Sequence, residues 1–248
     1  MQLIVIAGQA GVGKTSLAQI IAKKSFNLGF LPKLISFASP IKEVAEERGI
    51  GKKDNPDKYR RFCQRVGAGK RKLDEDYWTK EFEKQLVSIR EEERKDIKRD
   101  SKYWERCIIV DDCRYPNEIE LTLKYKGTLI FLSYGDHKPA DLTDKWRNHE
   151  SEEMAKIIEA SSNKKLMSVF NYFLKNEGSL EDLEKQVSSL IPVWCGLQPE
   201  NGRVITEYNE RADSIVKCID ELVDLLLLGE DLFLEEEEEE DEEYEEDA

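Results

Sequence analysis

Short apolar runs alternate with longer amphipathic stretches along the first 190 residues. The apolar runs are typical of strands covered on both faces, and they lie at residues 2–7, 33–37, 107–110, 128–133 and 169–174. Between them, the patterns predict helices at residues 14–27, 40–47, 117–125, 150–160 and 179–190. This alternation is typical of an α/β fold with a parallel five-stranded sheet and right-handed crossovers.

Two longer stretches interrupt the alternation. Residues 51–105 are polar and helical in pattern, with a break predicted at Gly67-Ala68-Gly69. Residues 134–148 carry Pro139 and predict a polar loop between the fourth strand and the next helix.

The alternation ends after Leu190. Prolines and glycines predict a linker or irregular loop at residues 191–204, and residues 207–228 predict an amphipathic helix. We therefore divide the chain into an α/β domain at 1–190, a linker and helix at 191–234, and an acidic tail at 235–248.

The most specific pattern is GQAGVGKT at residues 8–15, which fits G-x-x-x-x-G-K-[ST] between a predicted strand and a predicted helix. Its glycines let backbone N–H groups turn toward a phosphate, and the helix N-terminus adds partial positive charge. A dinucleotide-binding fingerprint does not fit, because residue 16 is serine. The loop predicts a nucleotide site with these residues: Gly8, Ala10, Gly11, Val12, Gly13, Lys14, Thr15 and Ser16.

Two side chains of this loop have specific expected roles. Lys14 is expected to reach the β- and γ-phosphates, and Thr15 to offer its hydroxyl to Mg²⁺. Asp111 and Asp112 follow the apolar run 108–110, where such proteins place a second Mg²⁺-organising acid. The pattern leaves open which aspartate faces the metal, and the pair could instead cap the next helix.

Charge and composition limit the function classes. The chain has 248 residues and a net charge of −14, but 12 acids lie in residues 235–248, so residues 1–234 carry only −2. The acidity argues against tight non-specific binding to nucleic acid, and 40% hydrophobic residues exclude a wholly disordered chain. Five cysteines without a C-x-x-C pair, and no apolar run long enough to cross a bilayer, predict a cytoplasmic protein without a membrane partner.

Five segments beyond the loop resemble the deoxynucleoside monophosphate kinases of bacteriophages and some other DNA viruses. They occur in the family's order, and DCRYPNE is the most specific. They are FASPIK at 37–42, QRVGAGKR at 64–71 with DYW at 76–78, DCRYPNE at 112–118, HESE at 149–152 and NEGSL at 176–180. The resemblance covers residues 1–190 and departs from the family at Ala68-Gly69, where a Thr-Glu pair is commoner.

This resemblance implies a three-layer P-loop kinase with a mostly parallel five-stranded sheet and helical acceptor-binding and lid insertions. It implies ATP and Mg²⁺ as cofactors, and it makes Asp112, rather than Asp111, the functional aspartate beside Thr15. The implied catalytic residues are Lys14, Asp112, Arg114 and Arg147.

A monophosphate acceptor is an anion and needs fixed cations, which Lys42, Arg71 and Arg114 could supply, although each could also be a surface base. Phe37 and Trp78 could stack on the nucleotide base or pack in the core. Arg147 and His149 fall in the polar loop where small kinases carry a lid. The expected acceptor-binding set is Phe37, Lys42, Gln64, Arg71, Trp78, Arg114, Glu118, His149 and Glu150.

The expected reaction is phosphoryl transfer from ATP to a (deoxy)nucleoside monophosphate, with small-molecule nucleotides as partners, in a host-cell cytoplasm if the chain is viral. One alternative is a P-loop kinase for another small acceptor, such as dephospho-coenzyme A. Another is an NTP-driven switch or assembly factor, although no guanine-reading N-K-x-D pattern occurs.

The C-terminal part allows two interpretations. In residues 207–228, Ala212, Ile215, Ile219, Leu222 and Leu226 share one helical face, which could pack against the core or form a homodimer contact. The acidic tail is expected to be a disordered polyanion that aids solubility or contacts a basic partner.

Overall fold

Five parallel strands form one sheet in the computed structural model, which describes residues 1–99, 104–135, 150–160 and 169–197. The strand order is β2-β3-β1-β4-β5, with β1 at the centre, and every pairing is parallel. The strands are β1 (Gln2–Ala7), β2 (Leu31–Ile35), β3 (Arg106–Cys113), β4 (Thr128–Tyr134) and β5 (Tyr172–Asn176). The predicted parallel five-stranded α/β architecture is therefore confirmed.

Helices follow the strands along the chain. A 3₁₀ turn at Glu150–Glu152 leads into the sixth helix. The helices are α1 (Lys14–Asn27), α2 (Ser39–Glu47), α3 (Pro56–Leu73), α4 (Tyr77–Arg99), α5 (Pro116–Lys124), α6 (Glu153–Ala160), α7 (Leu180–Ser188) and α8 (Ile191–Trp194).

The sheet is covered on both faces, which gives three layers. One face packs on α1, α7 and α8, through side chains such as Leu17, Leu183 and Trp194. The other face packs on α4, α5 and α6, through side chains such as Phe82 and Ile119. Because both faces are buried, the central strands are continuous apolar runs rather than alternating ones.

Helix α3 corrects one prediction. The expected break at Gly67-Ala68-Gly69 is absent, and the helix runs through these residues to Leu73. Asn55 caps its first turn by accepting a hydrogen bond from the Lys58 N–H at 3.0 Å. The break falls instead after Leu73, where Asp74 takes an extended conformation and α4 begins at Tyr77.

Residues 191–204 were expected to be a linker or irregular loop. This prediction is wrong for the first four residues of the stretch. Ile191–Trp194 form a short helix with Pro192 in its first turn, a position that proline tolerates. Ile191 and Trp194 are buried with Cys195 against the α1 side of the sheet. The core therefore extends to these residues.

Some predicted features lie outside the described residues. These are most of the polar loop at residues 134–148, the helix at 207–228 and the acidic tail. In the part of the chain that the structure describes, no helix has the length and apolar character needed to cross a membrane.

Candidate functional site

The loop at residues 8–13 joins β1 to α1 at the carboxyl edge of the parallel sheet. The carboxyl ends of neighbouring strands contribute to the same edge. Tyr134 at the end of β4 donates its hydroxyl to the Ala10 carbonyl, and Asn176 at the end of β5 donates to the Val12 carbonyl at 2.9 Å. Ligands of open α/β sheets bind at this edge, so the site lies where the fold predicts one.

Glycine is required at two positions of the loop. Gly8 has φ +140°, and a Cβ there would lie 2.1 Å from the Leu132 carbonyl oxygen. Gly13 has φ +100°, and a Cβ there would lie 2.7 Å from the Asn176 side-chain nitrogen. The left-handed backbone and the close neighbours both exclude a side chain, which explains the glycine spacing of the motif.

Lys14 is buried inside the loop, with 7% of the residue exposed. Its Nζ donates to the Gly8 carbonyl at 2.5 Å and to the Gln9 carbonyl at 2.8 Å. Burial, with a smaller contribution from the nearby Arg114 guanidinium, lowers the pKa of Lys14 to about 7. A phosphate close to this amine would stabilise its charged form.

The two aspartates of β3 have different contacts. The Thr15 hydroxyl donates to Asp111 Oδ2 at 2.7 Å. Asp112 accepts hydrogen bonds from the backbone N–H groups of Phe37 at 2.9 Å and Ala38 at 3.2 Å, and its Oδ2 lies 3.5 Å from Lys42 Nζ. The structure therefore brings Asp111 to the loop threonine, and Asp112, the residue that the resemblance implied, to the turn after β2.

The residues present fit Mg²⁺. A threonine hydroxyl and a carboxylate are hard oxygen ligands, and Mg²⁺ commonly uses one or two protein oxygens together with substrate phosphates and water. Among the described residues, no group of three or more His, Cys, Asp and Glu side chains could hold a metal by itself. A magnesium site here would thus depend on nucleotide oxygens as well as Thr15 and Asp111.

Glu152 connects the loop to the arginine of the DCRYPNE segment. Its Oε2 accepts from the Ala10 backbone N–H at 2.6 Å, and its Oε1 pairs with Arg114 Nη1. Arg60 Nη2 lies 4.0 Å from the same Oε1, and the Glu152 side chain is only 3% exposed. Two guanidinium groups and a loop N–H therefore surround one buried carboxylate.

One face of α3 forms a further wall of this region. Arg60, Gln64, Gly67 and Arg71 recur at intervals of four, three and four residues, so they share a helical face. Arg71 Nη2 lies 3.5 Å from Glu118 Oε1. Its guanidinium carbon lies 3.5 Å from the centre of the Tyr115 ring, as in a cation–π contact.

Glu118 organises the start of α5. It accepts from the backbone N–H groups of Arg114 at 2.6 Å and Tyr115 at 3.2 Å, which positions the segment that carries Arg114. Burial raises the pKa of Glu118 to about 7, and the charge of Arg71 opposes that rise. Glu118 is thus a buried acid that contacts two candidate acceptor-binding residues, Arg71 and Arg114.

Two expected acceptor-binding residues are buried in the structure. Phe37 is 2% exposed and its ring packs 4.2 Å from the Phe82 ring. Trp78 is 4% exposed and its Nε1 donates to the Gly67 carbonyl at 3.0 Å. Both rings pack in the interior, which is the core role that the sequence left open beside base stacking.

The other expected residues are distributed as follows. Lys42 is partly exposed on α2 and donates to the Ser36 hydroxyl at 2.8 Å, and Gln64 is half-buried on α3. Glu150 opens the 3₁₀ turn before α6. Arg147 and His149 lie outside the described residues.

The sequence did not single out Arg60 or Glu152 as site residues, and it left open whether Asp111 or Asp112 faces the metal. The HESE segment contained the one available signal for Glu152. The contact of Glu152 with Ala10 spans 142 residues, and local spacing does not predict a contact of that range.

Comparison with known proteins does not assign the chain to a family. No protein-family model matches the chain, and no curated protein shows significant sequence similarity to it. The inferences about function that follow therefore rest on the residues of the chain and their geometry.

Proposed function

We propose that the chain transfers the γ-phosphoryl group of ATP to a (deoxy)nucleoside monophosphate and releases the two diphosphates. The observation that carries the proposal is that one buried carboxylate, that of Glu152, links the phosphate loop to two arginines. Ala10 of the loop and Arg114 share the carboxylate of Glu152. Such a contact suits a reaction in which a donor phosphate and an acceptor phosphate must meet.

The donor side has the groups that hold a nucleoside triphosphate. Loop N–H groups and the start of α1 attract the phosphates, and Lys14 supplies a buried positive charge. Thr15 and Asp111 would hold Mg²⁺ together with the nucleotide, and the ion would supply positive charge next to the phosphates. A neutral dipole or a single surface lysine would stabilise the transferred group far less.

The acceptor side has accessible cations on rigid elements. The side chains of Arg71, Arg114, Arg60 and Lys42 are between 18% and 40% exposed. Each guanidinium carries five N–H donors, so an arginine bonded to Glu118 or Glu152 retains donors for a phosphate. Lys42 lies on α2, Arg60 and Arg71 lie on α3, and Arg114 lies between β3 and α5.

The reaction needs no strong general base. The second pKa of a phosphate monoester is about 6, so the acceptor is mostly dianionic at neutral pH and already nucleophilic. Lys14 and Arg114 would stabilise the charge that moves between the two nucleotides. Catalysis by this site therefore consists of positioning and electrostatic stabilisation.

A labelled-phosphate experiment tests the activity. ATP labelled in its γ-phosphate is incubated with Mg²⁺ and a mixture of nucleoside monophosphates, and the labelled products are separated. We expect the label in a nucleoside diphosphate, and loss of that product in Lys14→Ala but not in Lys23→Ala, an exposed lysine of the same helix. Label that appears only as inorganic phosphate, at a rate unaffected by acceptors, would indicate an NTP-driven switch instead.

A further inference from the structure

Four apolar side chains form an exposed patch at the amino-terminal end of the sheet. Phe26, Leu28, Leu31 and Trp104 are each between 39% and 51% exposed. The rings of Phe26 and Trp104 contact each other at 5.4 Å between centroids, and the Leu31 N–H donates to the Glu105 carbonyl at 2.9 Å. We call these four residues the edge patch, because contiguous exposed apolar side chains mark a contact surface.

The edge patch adjoins an edge strand. Strand β2 is the first strand of the sheet, and its outer side pairs with no strand among the described residues. Leu34, on the same strand, is also exposed, at 48%, and its side chain points to the opposite face of the strand from that of Leu31. An open, apolar sheet edge favours aggregation, and proteins commonly cover such an edge with a helix or a loop.

The chain leaves the described region close to the edge patch. Leu197 is the last residue described in this part of the chain, and it follows Gly196. A Cβ on Gly196 would lie 3.3 Å from Gln2 Nε2, and Gln2 Nε2 donates to Glu105 Oε1 at 3.0 Å. Glu105 is adjacent to Trp104 and bonded to Leu31, so two side chains separate the chain exit from the edge patch.

The segment that follows has the length and pattern to cover this surface. Residues 198–206 can span about 30 Å when extended, which exceeds the distance that two side chains bridge. Residues 207–228 then place five apolar residues on one helical face and carry six acids and two bases. Lys23 lies three residues before Phe26 on α1, and Lys33 lies two residues after Leu31 on β2. Both are exposed, and their positive charge is opposite to the net charge of residues 207–228.

We propose that residues 207–228 fold back as an amphipathic helix and cover the edge patch of the same chain. The apolar face at Ile215, Ile219 and Leu222 would contact Phe26 and the neighbouring apolar residues. The acidic face would lie toward Lys23, Lys33 and solvent. This inference is independent of the proposed activity, because it concerns the opposite end of the sheet from the phosphate loop.

Site-specific photocrosslinking in the full chain tests this contact. A benzoylphenylalanine replaces Phe26, and cross-linked peptides are identified by mass spectrometry in a mixture of isotope-labelled and unlabelled chains. We expect cross-links to residues 207–228 within one chain. The same probe at Val87, an exposed position on α4, should give none to that segment.

Two charge-matched variants control for the chemistry of the segment. Ile215→Asp with Leu222→Asp should lower the cross-linked fraction by about tenfold or more, because ionised carboxylates are expelled from an apolar contact. Ser214→Asp with Lys217→Ala changes the net charge equally on the polar face and should leave the yield within about twofold, as surface substitutions usually do. Cross-links between two copies of the chain, to another segment, or none at all would overturn the proposal.

Discussion

Adjacent aspartates on β3 have separate contacts because side chains of a strand alternate between its two faces. Asp111 contacts Thr15 of the phosphate loop, whereas Asp112 accepts two backbone hydrogen bonds from the turn after β2. A threonine hydroxyl paired with a carboxylate suits Mg²⁺. A carboxylate bonded to backbone N–H groups is better suited to holding the turn that leads into α2, the helix that carries Lys42.

The two aspartates can therefore be separated by matched substitutions. Asp111→Asn should weaken Mg²⁺ activation by about tenfold or more, because it removes a charged ligand. Asp112→Asn should mainly lower the free energy of unfolding, by about 1–2 kcal/mol, because an amide oxygen replaces a carboxylate acceptor. Initial rates over a series of Mg²⁺ concentrations would measure the Mg²⁺ activation of both variants. Urea denaturation would measure their free energies of unfolding. Loss of Mg²⁺ activation in Asp112→Asn alone would support the aspartate that the resemblance implied.

Glu118 predicts a dependence of stability on pH. Burial raises its pKa in the folded state to about 7, from the ordinary value of 4.5. The folded chain therefore binds more protons than the unfolded chain between these values, and the stabilisation present at low pH is lost as the pH rises to 7. Compared with Glu118→Gln, the parent should lose free energy of unfolding from about pH 4.5 to about pH 7. Parallel denaturation profiles for the two chains would contradict the prediction.

At the residue scale, the site residues that the sequence predicts best are those that act together within a short stretch of the chain. The loop residues were predictable because glycine spacing and the following Lys14 and Thr15 all act within one turn of chain. The sequence left two roles open for Phe37 and Trp78, which are buried in the structure, because an aromatic residue near a site has the same sequence signature in the core. The contact of Glu152 with the loop depends on the tertiary structure, which spacing does not report.

At the scale of elements, α3 shows how packing overrides local preference. Two glycines within three residues suggested a break, because each lowers helix stability by about 0.5–1 kcal/mol relative to alanine. The helix continues because Gly67 is buried beside α2 and its carbonyl accepts from Trp78 of α4. The continuous helix keeps Arg60, Gln64 and Arg71 on one face, which a break at Gly67 would have separated.

The continuity of α3 predicts the effect of two alanine substitutions. Gly69 lies in the helix, and a Cβ there would meet no atom within 4 Å, so Gly69→Ala should stabilise the chain by about 0.5–1 kcal/mol. Gly29 also has open space but a φ of +89°, so Gly29→Ala should destabilise it by about 1–2 kcal/mol. Urea denaturation of both variants measures the difference. A destabilising Gly69→Ala would contradict a continuous helix.

Element boundaries were less predictable than element types. The second strand was expected at residues 33–37 and lies at Leu31–Ile35, because Phe37 turns into the core and donates its N–H to Asp112. The last strand was expected at 169–174 and lies at Tyr172–Asn176, because Val169 and Phe170 are buried before the strand begins. Apolar content identifies buried residues, whereas strand limits depend on pairing with neighbours.

At the scale of the whole molecule, the net charge of −14 and the expected anion binding are compatible. Twelve acids lie in the last 14 residues, and residues 1–234 carry a net charge of −2. Within that nearly neutral part, Lys14, Arg114 and Arg60 gather around the buried Glu152. The local field at the site is therefore set by these groups rather than by the acidity of the tail.

The central claim is that this site phosphorylates a nucleoside monophosphate. The most direct test is the initial rate of ADP formation by the full chain with Mg²⁺ and ATP, measured against a panel of ribo- and deoxynucleoside monophosphates, dephospho-coenzyme A and no acceptor. We predict acceptor-dependent turnover with at least one monophosphate, well above the rate without acceptor. ATP binding without turnover on any monophosphate, or turnover on dephospho-coenzyme A alone, would contradict the claim.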